Sequence, residues 1–135
     1  MKMPIPEKLY KKIYKIVPRL TVDAIVKTPR GILLARREFE PHKGCWNFPG
    51  GVVYYGETLE HAVKRKVLDE VGLKVKIKKF LGVYEFPLRY TFGHVITHVF
   101  LCKPTGGKIK NAKFFKKIPR NIYPGQRTII KRFVK

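Results

Sequence analysis

The chain has 135 residues, close to the usual size of one domain, and 44% of them are hydrophobic, which supplies a core and argues against a disordered polyelectrolyte. Thirty Lys and Arg against nine Asp and Glu give a formal charge of +21, a field that favours anionic partners such as nucleotides, pyrophosphates and, without specificity, nucleic acid. No apolar run approaches the ~18–20 residues of a membrane span, no signal-peptide pattern opens the chain, and Cys45 and Cys102 form no CxxC pair, so a cytoplasmic protein with reduced thiols is expected.

Residues 1–18 read as a basic lead-in whose Leu9, Ile13, Ile16 and Val17 are expected to pack one face on the body. From Leu20 to Val26, Leu20, Val22, Ala24 and Val26 alternate with Thr21, Asp23 and Ile25, which predicts a strand. Thr28-Pro29-Arg30-Gly31 is a turn, and Ile32–Ala35 is the returning strand. A polar loop from Arg37 to Cys45 leads to the short segment Trp46-Asn47-Phe48 and the turn Pro49-Gly50-Gly51. A helix is predicted over Thr58–Glu70, with Leu59, Ala62, Val63 and Val67 on one stripe and Gly72 as its stop.

Lys74–Phe86 reads as a long strand and His94–Lys103 as another. Pro104-Thr105-Gly106-Gly107 reads as a loop before a strand near Ile109. A last helix follows Pro124, with Gln126, Ile129, Ile130, Phe133 and Val134 on one face and Pro124 in its first turn. With no repeat and no low-complexity linker, one domain over 1–135 is expected. Its class is α/β of the α+β type, a mixed sheet with helices packed on it.

All nine acids lie at or before Glu85, and several gather near one glycine-rich turn. In Gly51–Leu73, GVVYYGETLEHAVKRKVLDEVGL, that turn feeds a helix whose far end carries Asp69 and Glu70, with Arg65 one turn earlier. Mg²⁺ takes hard oxygen ligands, commonly one or two carboxylates together with substrate phosphate oxygens, and it lowers the pKa of bound water. Adjacent acids at the end of a rigid helix, beside backbone that phosphates can approach, suit that ion.

The stretch resembles the box of the Nudix hydrolase family. That box reads Gly, five residues, Glu, seven residues, Arg-Glu, an aliphatic residue, any residue, Glu-Glu, any residue, Gly and an aliphatic residue. Gly51, Glu57, Arg65, Val67, Glu70, Gly72 and Leu73 match at the right spacing, and Asp69 stands for a Glu. The resemblance implies the Nudix fold and Mg²⁺-dependent hydrolysis, with Mn²⁺ as a substitute, of a nucleoside diphosphate linked to another moiety. It puts Glu57, Arg65, Asp69 and Glu70 in the catalytic set, with Glu57 ordering the loop before the helix. A homodimer is compatible with it.

One position departs. Lys66 stands where the family has the Glu of Arg-Glu, so Lys66, Asp69 and Glu70, neighbours at i, i+3 and i+4, carry one net negative charge in place of three. Lys66 either competes with the metal or contacts a substrate phosphate as a point charge. The same Glu is missing in the GDP-mannose mannosyl hydrolase branch. Resemblance to that branch makes the Gly50 carbonyl and Glu70 metal ligands and nominates Asp23 and Arg37 for the substrate. Its downstream His base has no counterpart, because residues 104–135 contain no His. Pro87, about fifteen residues past the box, instead resembles the ADP-ribose pyrophosphatase branch.

Glu85, the one acid after the box, is the carboxylate left for a late ligand or base; a salt bridge to a lysine is its plainer use. His94 and His98, expected about 13 Å apart along a strand, do not chelate one ion together. Tyr84, Phe86, Tyr90 and Phe92 read as core aromatics first and as base-stacking candidates second. Beside the small-molecule hydrolase stand two alternatives: an enzyme of RNA ends or nucleoside triphosphates, and a weakly catalytic nucleotide-binding protein.

Overall fold

A computed structural model of the chain describes residues 5–90 and 92–134, the Tyr90 side chain excepted. The first four residues of the basic lead-in and the Tyr90 side chain therefore lie outside the described residues. In chain order come α1 (Glu7–Tyr14), β1 (Arg19–Thr28), β2 (Gly31–Arg36), β3 (Trp46–Asn47), β4 (Gly50–Val52), α2 (Leu59–Val71), β5 (Leu73–Glu85), β6 (Val95–Gly107), β7 (Ala112–Phe115) and α3 (Gln126–Phe133).

The strands form one seven-stranded mixed sheet in the order β3-β2-β1-β6-β5, with β4 on β1 and β7 on β2. β1 is its centre. It runs parallel to β6 from Arg19↔Val95 to Val26↔Cys102. Its other edge is shared: antiparallel β4 takes Thr21 to Asp23, and β2 takes only Lys27 and Thr28. The sheet is split between those two partners, and the split positions the site described below.

Thr21 to Val26 are all buried because helices cover both faces of β1. On one face Val22, Ala24, Val26, Phe100 and Cys102 pack against Ala62, Val63, Val67 and Val71 of α2. On the other, Ile25, Phe48, Tyr84, Phe86, Val99 and Tyr123 pack around Ile129 of α3. Each fully buried aliphatic side chain contributes about 1.5–3 kcal/mol.

α2 follows its local code. The Thr58 side chain accepts from His61 N at 3.1 Å, and Gly72 closes the helix at φ 78°. A Cβ on Gly72 would also collide with the Lys108 carbonyl, which ties the helix end to the chain after β6.

Four expectations need correction. The lead-in forms α1, but none of its described residues is buried: Leu9 and Val17 are each 45% exposed and Ile16 is 81% exposed. The helix is held through Tyr10, whose hydroxyl accepts from Arg19 Nη1 at 3.0 Å, and not through an apolar stripe. Pro104–Gly107 is strand, not loop, because β6 continues along β5 after β1 has ended at its other edge. Pro104 has no N–H to donate, and it sits beside a register shift at Lys74/Val75. The strand expected near Ile109 is β7, at Ala112–Phe115. Finally, α3 starts at Gln126 behind a left-handed Gly125, so Pro124 precedes the helix.

Candidate functional site

The split in the sheet holds two hollows that share Arg37 and Asn47. One adds Asp69, Glu70 and the Ala35–Phe39 stretch; the other adds Asp23, Gly50, Gly51 and Lys66, with Tyr10, Arg19, Tyr123 and Gln126 toward its far side. Glu70 reaches from the last turn of α2 to β4, where Gly50 N–H donates to Glu70 Oε1 at 2.9 Å. Directly across the β1–β4 pairing from Gly50 lies Asp23. A Cβ on Gly50 would land on the Val22 carbonyl and the Asp23 carboxylate, so no larger residue fits between the two acids.

The electrostatics follow from that crowding. Burial pushes the Asp23 carboxyl up to about 7; the Thr97 hydroxyl, donating to Asp23 Oδ2 at 2.7 Å, opposes the rise, and the nearby Glu70 charge adds to it. Burial also raises Glu70, against the pull of Lys66, the Gly50 N–H and Arg37. Two carboxylates that both hold protons too tightly across one glycine form a donor set that a divalent cation relieves. Lys66 meets part of the need already, with Nζ 3.5 Å from Glu70 Oε1. Gly51 makes room for it, because a Cβ there would stand 2.7 Å from Lys66 Cε.

The rest of the box is a brace. Arg65 Nε donates to Glu57 Oε2 at 2.6 Å, and Nη2 donates to Glu57 Oε1 and to the Val52 carbonyl, both at 2.9 Å. Its guanidinium also lies 3.8 Å from the Tyr54 ring centroid. Glu57 accepts further from Tyr54 N and pairs with His61 Nδ1. The Arg65 hydrogen bonds lead in holding Glu57 down at about 2. Both side chains are 6% exposed and line neither hollow. They tie the loop before α2 to the helix and to β4, an arrangement that suits both side chains to positioning.

The other nominated residues divide. The structure brings Asp23, Gly50, Lys66, Glu70 and Arg37 together; Arg37 is held by its Nε donating to the Pro41 carbonyl at 2.9 Å, with its guanidinium 4.9 Å from the Tyr123 ring centroid. Asp69 is exposed and faces the hollow of Arg36 to Phe39, so Asp23, nominated for substrate, is the acid that stands opposite Glu70. Among the described residues no three His, Cys, Asp or Glu side chains cluster as a metal cage. Glu85 is corrected out of the site. Its neighbours Tyr84 and Phe86 point into the α3-side core, which turns Glu85 to the opposite face, where it is 65% exposed and pairs with His94 Nε2 at 2.6 Å. His98 Nδ1 lies 3.1 Å from the Thr21 carbonyl. Cys45 and Cys102 are both free thiols.

Sequence reasoning missed Thr97, Asn47, Tyr10, Arg19, Tyr123 and Gln126. Thr97 carried a faint signal, a hydroxyl on the inward phase of an otherwise apolar strand. Gln126 carried none: it is 4% exposed, and its Oε1 accepts from Phe48 N at 2.8 Å across the fold.

Known proteins match this arrangement. The ADP-ribose pyrophosphatase of Methanocaldococcus jannaschii is 46% identical over 93 residues, covering 69% of this chain and 55% of that protein. The low-salt glycan biosynthesis protein Agl8 of Haloferax volcanii is 40% identical over 81 residues, covering 60% of this chain and 52% of that one. The chain thus spans about half the length of these curated relatives. The MutT NUDIX hydrolase structure from Burkholderia pseudomallei superposes with a TM-score of 0.77 at 25% identity, over 88% of this chain and 99% of that one. The family model of the NUDIX domain covers residues 17–117, which include the split, the box and the strand that carries Thr97, and the chain belongs to the Nudix hydrolase family.

Proposed function

We propose that this protein is a divalent-cation-dependent hydrolase that cleaves the phosphorus–oxygen bond between the two phosphates of a nucleoside diphosphate sugar or an ADP-ribose-like compound. The observation that carries the reading is the pair of carboxylates, buried Asp23 and half-buried Glu70, facing across Gly50 with Lys66 and Arg37 beside them. Glu70 and the Gly50 carbonyl would hold the ion, Mg²⁺ or Mn²⁺, with Asp69 at the rim. When bound it neutralises diphosphate charge and acidifies a water.

The chain's own residues do the rest. Lys66 and Arg37 draw the diphosphate in and offset the charge that builds on its oxygens. Asp23, poised near neutrality, takes the proton of the attacking water as the new phosphorus–oxygen bond forms and the bridging oxygen departs with the other phosphate. Thr97 fixes the rotamer of that base. The Arg65–Glu57 brace keeps β4 opposite β1. The relative from M. jannaschii, named an ADP-ribose pyrophosphatase, supports this bond over the sugar–phosphate bond.

Glu70→Gln tests the reading, since an amide oxygen still accepts from Gly50 while the charge is lost. Cation-dependent turnover of nucleoside diphosphate sugars should fall roughly hundredfold or more, with an unchanged circular dichroism spectrum. Turnover within a few-fold of the parent would overturn it.

A further inference from the structure

The family model stops at residue 117 and starts at residue 17, yet the hollow holding Asp23 continues past both limits. Its far side is built by Tyr10 of α1, by Arg19 at the start of β1, and by Tyr123 and Gln126 at the entry to α3. The hollow thus joins residues of the matched core, Arg19 among them, to Tyr10, Tyr123 and Gln126 outside its limits.

The chemistry of that far wall is one-sided. Arg19 Nη1 donates to Tyr10 Oη and Nη2 donates to the Phe92 carbonyl, but the buried Arg19 Nε has no partner among the described residues. Tyr10 Oη is already accepting from Arg19, so its own hydrogen is left to give. Gln126 has committed its oxygen to Phe48 N, which leaves its amide N–H groups as donors. Tyr10 and Tyr123 line the same hollow. Hydrogen-bond donors beside aromatic side chains suit a hydroxyl-rich ring whose oxygens accept.

We infer that Tyr10, Arg19 and Gln126 form a subsite for the glycosyl or ribosyl group attached to the diphosphate, and that α1 sets the specificity of the enzyme. The inference rests on the proposed site for the diphosphate. α1 suits the task because Tyr10 is seated on Arg19 while no residue of the helix is buried in the core, so the helix contributes a wall to the hollow and no residue to the core.

Two ligands separate this role from mere attachment of α1: a nucleoside diphosphate sugar and the same nucleoside diphosphate esterified to a short alkyl chain. Binding is titrated with Ca²⁺ so that turnover is suppressed, for the parent, Tyr10→Phe and Arg19→Lys. The parent should prefer the sugar ester, and each variant should lose roughly tenfold in affinity for it while keeping its affinity for the alkyl ester, as expected for a lost hydrogen bond. Tyr10→Phe preserves the ring, so a loss confined to the sugar ester reads the hydroxyl and not the fold. Equal losses for both ligands, or no loss, or a parent without preference, would overturn the inference. Turnover with Mg²⁺ is measured separately. A parent that binds with this preference and does not hydrolyse would sink the proposed activity alone; hydrolysis without the preference would sink the subsite alone.

Discussion

The two faces of the central sheet were built by different rules. On the α2 face, the helix, its cap, its stop and the Arg65–Glu57 brace lie within one short stretch, and the partners are eight residues apart. On the α3 face, Asp23 meets Thr97 across 74 residues and Phe48 meets Gln126 across 78. Each face contributes to the site, but only the first is written as a contiguous motif. The local half is a frame held by short-range contacts. The other half is assembled by tertiary contact, and a protein can vary it without touching the frame.

If that division is right, damage to the frame should cost the most. Arg65→Ala leaves Glu57 buried with its main partner gone, and should destabilise the fold by about 3–5 kcal/mol in denaturant titration. Turnover should fall with it, because β4 loses the Arg65–Val52 tie. A loss below 1 kcal/mol would place the brace among ordinary surface ion pairs and erase the contrast between the two faces.

On the assembled face, Gln126→Ala removes the acceptor of the buried Phe48 N–H and should cost about 1–3 kcal/mol by the same assay. A cost equal to that of Arg65→Ala would show that both faces are equally braced.

The last effect lies where the faces meet, and pH reads it. In protein freed of metal, Asp23 is protonated in both folded and unfolded chains below its ordinary value of 3.8. Between there and about 7 the unfolded chain releases its proton while the native one keeps it, so the Asp23 contribution to stability falls as pH rises and levels off above that window. Glu57 acts with the opposite sign: its contribution is present above 4.5 and is lost as pH falls through about 2. Asp23→Asn should therefore shrink the decline between pH 4 and 7 in chelator-treated protein, leaving the part that the raised Glu70 carboxyl contributes, and leave the acid limb. An unchanged profile would mean that the Asp23 carboxyl is not crowded by burial and Glu70.

What could be read from the residues follows the same line. The period of Leu59, Ala62, Val63 and Val67 placed α2, Gly72 ended it, and the box spacing located Glu70, because helices and motifs are short-range objects. The alternation through Leu20–Val26 placed β1 but could not say that both its faces are covered, since that depends on α3, a hundred residues later in the chain. For the same reason the spacing puts Asp69 beside Glu70 but does not show that Asp23 stands opposite: helix spacing sees which side chains share a turn, not which strand lies opposite. Glu85 was placed in the site for being the last acid, a statement about composition, while the phase of β5 turned it away. β6 outran its expected end because pairing with β5 outweighs the turn signal of Pro104 to Gly107.

The parallel seam between β1 and β6 also sets an order of assembly. A chain emerging from the ribosome can close the Glu57–Arg65 brace within a few residues, yet Asp23 has no Thr97 to hold it until most of the protein has been made. Loop closure over that span is slow compared with helix formation. The nascent protein therefore carries a finished frame well before it has a working centre. A truncation that ends before β6 keeps every residue of the box and cannot complete the site.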